Sequence, residues 1–286
     1  MQSFAAGPQY LQLPHAAKVW VVEDLLPVSG FLNIFGKPKV GKSFAALQMA
    51  SCISDATRED FLGFPIHIHG PVCYLQLDTP RELWQQRNQQ IALEGWKIDN
   101  IFFADREMTP FPFDIHSTGC QYLRTYIPPI NPVAVFIDTI RQLHEGDEDR
   151  SFVIEKVLQG LELGCRPSAI VIVSHSRKGN PDYFDLMSEQ RGSNALPARM
   201  DTVLHVGKKQ MMYEGRTIGE HKLNVSRTPH YMWRIDNLMM KQKATTLLIN
   251  NPKESINSLA EIMSEECGLH KEACRSMLRR LKEDKS

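Results

Sequence analysis

The chain has 286 residues, 42% of them hydrophobic, which is enough for one large core with room for a small appended unit. Lysine plus arginine and aspartate plus glutamate each number 33, so no net charge draws the whole chain to nucleic acid or to an acidic membrane. The six cysteines include no C-x-x-C pair, and the first residues lack a signal-peptide pattern. These features disfavour a disulfide scaffold, a cysteine metal site and a membrane protein, and they predict a soluble intracellular protein.

A glycine-bearing motif fits the phosphate-loop pattern G-x-x-x-x-G-K-[ST] and consists of Gly36, Lys37, Pro38, Lys39, Val40, Gly41, Lys42 and Ser43. A short strand and turn over 18–27 lead to a buried strand over 30–35, and a helix is predicted over 43–53 with Phe44 facing inward. Backbone N–H groups of such a loop and of the helix N-terminus bind phosphate. We therefore expect residues 36–44 to bind a nucleoside triphosphate, with Lys42 on the β- and γ-phosphates and Ser43 on Mg²⁺. The alternative, a strand-to-helix turn that carries Lys-Ser by chance, is disfavoured by both flanks.

The central part of the chain alternates short apolar runs with helical patterns. Strands are predicted over 71–77, 101–103, 132–138 and 169–174, and helices over 80–93, 120–126 and 152–163. This alternation is typical of a parallel sheet that is covered by helices on both faces. Two later strands, over 202–206 and 221–225, are expected to form an antiparallel edge joined by a polar turn.

From residue 241 the pattern changes to three helices, predicted over 243–250, 258–267 and 270–284. The second and third have the spacing of a helix-turn-helix. Basic residues outnumber acidic ones on the third helix, at Lys271, Arg275, Arg279, Arg280 and Lys282 against Glu272 and Glu283. One interpretation is a recognition helix for duplex DNA, and the other is a packing or docking module, for instance for a replication protein, whose charges are only solvated. We accordingly predict two domains, over 1–240 and 241–286.

Two aspartates follow predicted strands. Asp138 ends an apolar strand, where its carboxylate can hold Mg²⁺ beside the phosphate loop; the alternative is an ordinary aspartate at a strand end. Asp78 ends another strand, which in a doubly wound sheet emerges at the same crevice, so this residue can orient the attacking water. Asp78 together with Thr79 and Pro80 equally favours a helix N-cap and first turn.

In the order of these motifs, residues 18–235 resemble RecA-fold ATPases and, within them, the RepA-like hexameric replicative helicases of plasmids and phages. The stretches 61–64 and 70–75 are similar to the family's approach to its second strand, after which the family usually has a catalytic glutamate. Asp78 stands at that position and is one methylene shorter, which implies slow hydrolysis without loss of binding; Glu82 is a weaker substitute. The stretch 137–144, with 147–149 after it, resembles the family segment whose aspartate, here Asp138, holds Mg²⁺.

The resemblance implies roles for three further residues. His175 falls where the family has a glutamine or histidine that senses the γ-phosphate and contacts the DNA-binding loop. The segment 191–196 resembles the family's R-G-S-x-A-L, whose arginine, here Arg191, is inserted into the ATP site of the neighbouring subunit. Arg227 resembles a second such arginine, although the lysine usually found two residues earlier is Val225 here.

The segment between His175 and Arg191 is polar, contains glycine and lacks a helical pattern. In the family this position is a mobile loop that faces a central channel. Arg177 and Lys178 can neutralise phosphates, and Tyr183 can stack on a base, which is the combination that binds single-stranded DNA. The alternative from the residues alone is a plain surface loop.

The resemblance implies an α/β protein of the RecA-like P-loop NTPase class, with a mainly parallel sheet, antiparallel edge strands and a small all-α, helix-turn-helix-like C-terminal domain. We expect a Mg²⁺-dependent ATPase that uses ATP, assembles as a homo-oligomeric ring, a hexamer as in that family, and moves on single-stranded DNA as a replicative helicase. Its expected location is the bacterial cytoplasm, in a plasmid- or phage-encoded protein. The alternatives are a RecA-like ATPase for recombination and strand pairing, and a regulatory switch in which ATP only sets the oligomeric state.

Overall fold

The computed structural model describes residues 18–109, 117–147, 150–176, 186, 195–229, 232–235, 237–267 and 271–283. Its centre is a nine-stranded sheet in the order β13-β12-β11-β10-β3-β9-β8-β6-β7. The strands of this sheet are β3 (Phe31–Gly36), β6 (Val72–Gln76), β7 (Ile101–Asp105), β8 (Ala134–Asp138), β9 (Ala169–His175), β10 (Thr202–Val206), β11 (Gln210–Gly215), β12 (Ile218–Arg227) and β13 (Trp233–Ile235). Every pair from β10 to β7 is parallel, and every pair from β10 to β13 is antiparallel. The predicted fold class, a mainly parallel sheet with antiparallel edge strands, is confirmed.

The antiparallel edge contains two strands, β11 and β13, that the sequence analysis did not predict. The turn expected between the last two predicted strands contains a strand of its own, β11, which separates β10 from β12. β10 itself is the last parallel strand, since it pairs with β3. The apolar run in β11 is short, only Met211 to Tyr213, and charged residues flank it on both sides, so its pattern resembles a polar connection.

Helices cover both faces of the sheet. The described helices are α1 (Lys42–Ser54), α2 (Arg81–Leu93), α3 (Thr118–Ile130), α4 (Ser151–Cys165), α5 (Ala195–Arg199), α6 (Asn237–Asn250), α7 (Ile256–Cys267) and α8 (Lys271–Glu283), with a 3₁₀ turn over Ile140–Leu143. α2 begins one residue later than predicted, because Pro80 has an extended ψ of 146° and stands at the N-cap. None of the described helices combines the length and the apolar composition needed to span a lipid bilayer.

Alternation along the central strands divides the interior into two apolar clusters. In β8, Ala134 and Phe136 face the cluster that contains α1 and α2, whereas Val135 and Ile137 face the cluster that contains α3 and α4. Successive residues of a strand point to opposite faces, so a continuous apolar run supplies both clusters at once. This double burial explains why the central strands carry almost no polar residue before their carboxyl ends.

Two short hairpins stand outside the main sheet. β1 (Trp20–Val22) pairs with β2 (Leu26–Pro27), which fits the strand and turn predicted there. β4 (Asp60–Phe61) pairs with β5 (Phe64–Pro65), and this second hairpin was not predicted. Its two-residue strands are too short to show a period in the sequence.

The C-terminal helices pack against the sheet. Their buried residues belong to the same apolar cluster as α1, and α7 contacts β12; these residues are Ala244, Leu259, Ala260, Met263, Cys274 and Leu278. α6 begins at Asn237, so a helix crosses the boundary predicted after residue 240. The division into two domains stays a prediction.

We expect Leu278→Ala to lower the free energy of unfolding by about 2–5 kcal/mol, because the side chain is fully buried in this shared cluster. The exposed neighbour Arg279 provides the control, since Arg279→Ala is expected to change stability by no more than about 0.5 kcal/mol. Urea unfolding followed by tryptophan fluorescence and by circular dichroism measures both variants. A separate early transition of the C-terminal helices in Leu278→Ala would contradict the shared packing.

Candidate nucleotide-binding site

The phosphate loop joins β3 to α1 in a conformation that two of its glycines permit. Gly41 has φ of 102° and Gly36 has φ of 155°, and both values lie in the region that side chains rarely adopt. A Cβ on Gly36 would lie 2.4 Å from the carbonyl oxygen of Val206. Gly41 is also the N-cap of α1 and offers no side chain to cap it. The first N–H groups of α1 therefore face the loop without a side-chain cap, as an anion site requires.

Lys42 is buried at the start of α1, with 6% of its surface exposed. Its Nζ donates a hydrogen bond to the Lys37 carbonyl oxygen at 3.0 Å and lies 3.4 Å from Nδ1 of His175. Burial lowers the pKa of Lys42 to about 8, although the charges of Asp138 and Asp78 oppose this shift. Among the described residues, no carboxylate is in direct contact with this ammonium group. A bound phosphate would supply that full negative charge.

Asp138 lies at the end of β8 and is 1% exposed. Burial raises its pKa, and hydrogen bonds from the Ser43 and Tyr74 side chains oppose that effect. The Tyr74 hydroxyl donates to Asp138 Oδ2 at 3.0 Å. Oδ1 is buried as well, and no described residue donates a hydrogen bond to it. One carboxylate oxygen is thus held by the protein and the other remains for a ligand.

Asp78 follows β6 and is exposed to solvent at the rim of the site. Its carboxylate accepts a hydrogen bond from the Gln142 amide at 3.1 Å. The capping role that the sequence also allowed for Asp78 is wrong, because Pro80 is the N-cap of α2 and no side chain caps it. Gln76 holds this turn instead, since its side-chain oxygen accepts from the backbone N–H groups of Asp78 and Thr79.

Arg227 ends β12 and lies beside Trp233 of β13. The guanidinium is 5.4 Å from the centroid of the Trp233 ring, and Trp233 Nε1 donates to the Gly41 carbonyl oxygen at 3.1 Å. Gln48 of α1 exchanges two hydrogen bonds with the Trp233 backbone. These contacts place Arg227 against the phosphate loop of its own chain. The role in a neighbouring subunit that the sequence suggested for Arg227 stays a prediction.

A single cleft of about 600 Å³ collects these groups, within the range of about 300–1,000 Å³ that small-molecule sites occupy. Of the residues predicted from the sequence, the structure brings together Pro38, Lys39, Gly41, Lys42, Ser43, Phe44, Asp78, Asp138, His175 and Arg227 along its walls. Gly36, Lys37 and Val40 belong to the same loop but do not line the cleft. Arg177, Lys178, Tyr183 and Arg191 lie outside the described residues.

Part of the cleft wall was not predicted. One face of α2 contributes to it through Leu83, Gln86, Arg87 and Gln90, and Thr79 and Thr139 complete the wall. Arg87 is held in place by a hydrogen bond to Thr79 Oγ1 at 3.1 Å. These four residues have the spacing i, i+3, i+4, i+7 on the helix that follows β6. That spacing is the signal that could have identified this face.

The family of the chain follows from a comparison with known proteins. A family model described as an AAA domain matches residues 8–181, more than half of the chain and the whole phosphate loop. The chain belongs to this AAA-domain family. Among curated proteins, no significant match to the chain was found.

Two solved structures show the fold of this AAA-domain protein. The first is a KaiC-like protein from the hyperthermophilic archaeon Pyrococcus horikoshii OT3, with a TM-score of 0.50 and 14% identity over 77% of this chain and 98% of that one. The second is the ATPase domain of another protein, with a TM-score of 0.52 and 14% identity over 72% of this chain and 84% of that one. Together with the family, they identify the chain as a RecA-fold P-loop ATPase.

A magnesium ion usually accompanies the nucleotide in P-loop ATPases, and the residues present fit it. Asp138 Oδ1 is a buried oxygen with no hydrogen-bond donor among the described residues, and the Ser43 hydroxyl is bonded to the same carboxyl group. No cluster of three or more His, Cys, Asp or Glu side chains that could hold a metal occurs in the described part of the chain. Mg²⁺ suits such a sparse site, because it keeps several waters and shares oxygens with the phosphates.

Nucleotide binding is expected to take up more protons at about pH 9 than at about pH 7, because phosphate favours the ammonium form of Lys42, whose pKa is otherwise about 8. The affinity for the nucleotide is expected to fall as the pH rises above about 8, the pKa of Lys42. Titration calorimetry in two buffers of different ionisation enthalpy gives the proton uptake at each pH.

Lys42→Ala is expected to remove this extra uptake and to weaken binding by about 10- to 100-fold, the cost of a lost charged hydrogen bond. Lys222→Ala, at an exposed lysine of β12, serves as the control and should keep both the uptake and the affinity. Equal proton uptake at the two pH values in the unmodified protein would contradict the assignment.

Proposed function

We propose that this ATPase is a ring-forming motor of the RepA-like helicase type, which couples ATP hydrolysis to movement along single-stranded DNA. The observation that carries the proposal is the position of His175. This residue ends β9, lies 3.4 Å from the Lys42 ammonium group and directly precedes the segment that contains Arg177 and Lys178. A change at the γ-phosphate would therefore need to travel only two residues along the chain to reach the proposed DNA-binding loop.

The residues of the cleft would divide the work of hydrolysis among them. The N–H groups of the phosphate loop and the Lys42 ammonium group would bind the phosphates. Ser43 and Asp138 would hold Mg²⁺, which when bound neutralises charge on the β- and γ-phosphates. Asp78, at the rim and oriented by Gln142, would position the attacking water.

Two arginines would act on the charge that develops at the γ-phosphate. Arg227 lies in the cleft of its own chain, so it can serve that chain's nucleotide without a neighbour. Arg191 would come from the adjacent subunit, and in that case each complete site is formed between two copies of the chain. Hydrolysis would then depend on the contact between neighbouring subunits, because Arg191 would reach the site only in the assembled ring.

A regulatory switch is the second candidate, and the environment of Asp78 favours it. The Asp78 carboxylate already accepts the Gln142 amide, and it is shorter than the glutamate of the resembled family. Such a site would bind ATP firmly but hydrolyse it slowly. The C-terminal helices, which pack against the sheet near β12, would then transmit the bound state to duplex DNA or to a partner protein.

We expect ATP hydrolysis by the purified protein to rise at least about tenfold on addition of single-stranded DNA, with a solution mass several times that of one chain. Duplex DNA of the same sequence is the control and should stimulate less. Stoichiometric ATP binding without stimulated turnover would favour the switch, and a filament instead of a closed ring would favour the strand-pairing ATPase.

Arg191→Ala is expected to leave ATP binding intact and to lower turnover by about 10³-fold or more, the usual effect of losing an arginine finger. Mixing Arg191→Ala chains with Lys42→Ala chains tests the position of the arginine. If Arg191 acts across the interface, mixed assemblies should recover activity, since some interfaces then pair an intact Lys42 with an intact Arg191. Equal loss of binding and turnover in Arg191→Ala would contradict the proposed role.

A further inference from the structure

Tyr74 lies in the middle of β6 and is fully buried, and neither the phosphate-loop motif nor the family resemblance assigns it a role. Its strand partner on β8 is Phe136, and the partner of Gln76 is Asp138. Tyr74 and Asp138 are therefore diagonal neighbours on one face of the sheet, at a separation that an aromatic side chain can bridge. The hydroxyl does bridge it, since it donates to Asp138 Oδ2 at 3.0 Å.

Aromatic neighbours fix the Tyr74 ring in this orientation. The Phe136 ring is stacked parallel to it at 5.5 Å, with an interplanar angle of 5°. Trp84 of α2 and Phe103 of β7 contact it at centroid distances of 5.1 and 5.9 Å. A buried ring held by three others cannot swing its hydroxyl away from the carboxylate without displacing its neighbours.

The consequence concerns the other carboxylate oxygen. Because Tyr74 occupies Oδ2, the Asp138 side chain is fixed and Oδ1 is the oxygen left without a donor among the described residues. We propose that Tyr74 is a positioning residue for the metal site, which holds Asp138 so that Oδ1 faces Mg²⁺ or one of its waters. This inference rests on the Mg²⁺-nucleotide site of the proposed function.

The test compares nucleotide affinity with and without Mg²⁺ in the full-length Tyr74→Phe variant, with a fluorescent ATP analogue as the probe. The substitution removes one oxygen and keeps the ring. We expect the affinity in excess EDTA to stay unchanged and the Mg²⁺ concentration at half-saturation to rise by about 10-fold or more, as for other residues that orient a metal ligand. If Tyr74 only packed the core, the substitution would change nucleotide affinity in EDTA and in Mg²⁺ alike.

Tyr213→Phe is the matched control, because it removes another buried tyrosine hydroxyl on β11, away from the cleft. This variant should change neither quantity. Phe103→Leu is a second variant, which keeps the Tyr74 hydroxyl but removes one of the rings that hold it, and it should shift the Mg²⁺ requirement in the same direction by a smaller factor. It also keeps the inference testable if Tyr74→Phe does not fold.

An unchanged Mg²⁺ requirement in folded Tyr74→Phe would overturn the inference, and so would an equal loss of affinity with and without Mg²⁺. If the unmodified protein binds the nucleotide equally well in EDTA and in Mg²⁺, the metal site of the proposed function is wrong, and this result is obtained before any variant is compared.

Discussion

Two buried charged groups, Lys42 and Asp138, constrain the side of the sheet at which the parallel strands have their carboxyl ends. An ion removed from water costs several kcal/mol unless polar groups or an opposite charge surround it. Here a backbone carbonyl supports Lys42, and two hydroxyl groups support Asp138. Burial lowers the pKa of Lys42 and raises the pKa of Asp138, so each group is shifted towards its neutral form. A nucleotide with its metal would supply the phosphate that Lys42 lacks and the cation that Asp138 lacks.

The fold provides that side of the sheet through its parallel strands. β3, β9, β8 and β6 run in the same direction, so the phosphate loop, His175, Asp138 and Asp78 all follow strand ends at one side of the sheet. Both faces of these strands are apolar and covered, which leaves their carboxyl ends as the place where polar side chains can gather. β13 then closes the site from a distant part of the chain, because Trp233 reaches the Gly41 carbonyl oxygen.

Sequence patterns predicted the parts of this structure that depend on local chemistry. The phosphate loop needs glycines, a lysine and a serine at fixed spacing, and the central strands need uninterrupted apolar residues. Contacts between distant segments leave no such pattern. Tyr74 stands in the sequence as one more apolar residue of a buried strand, and Trp233 lies outside every strand that the sequence predicts. The hydrogen bond of Tyr74 to Asp138 depends on the register of β6 and β8, which the sequence does not specify.

The C-terminal helices show the same limit of prediction from sequence, here for three whole helices instead of single residues. Their existence followed from apolar spacing and from the proline and glycine between them, whereas their packing on the cluster around α1 depends on surfaces of β12 that belong to another part of the chain. This packing places the helices on the same apolar cluster as α1, whose first residues line the nucleotide cleft.

The most direct measurement is a high-resolution structure of the protein with Mg²⁺ and a non-hydrolysable ATP analogue. We predict phosphates on the loop from Gly36 to Ser43, the Lys42 ammonium group on the β- and γ-phosphates, and Mg²⁺ between the Ser43 hydroxyl and Asp138 Oδ1. A nucleotide bound elsewhere, or a metal remote from Asp138, would contradict this assignment.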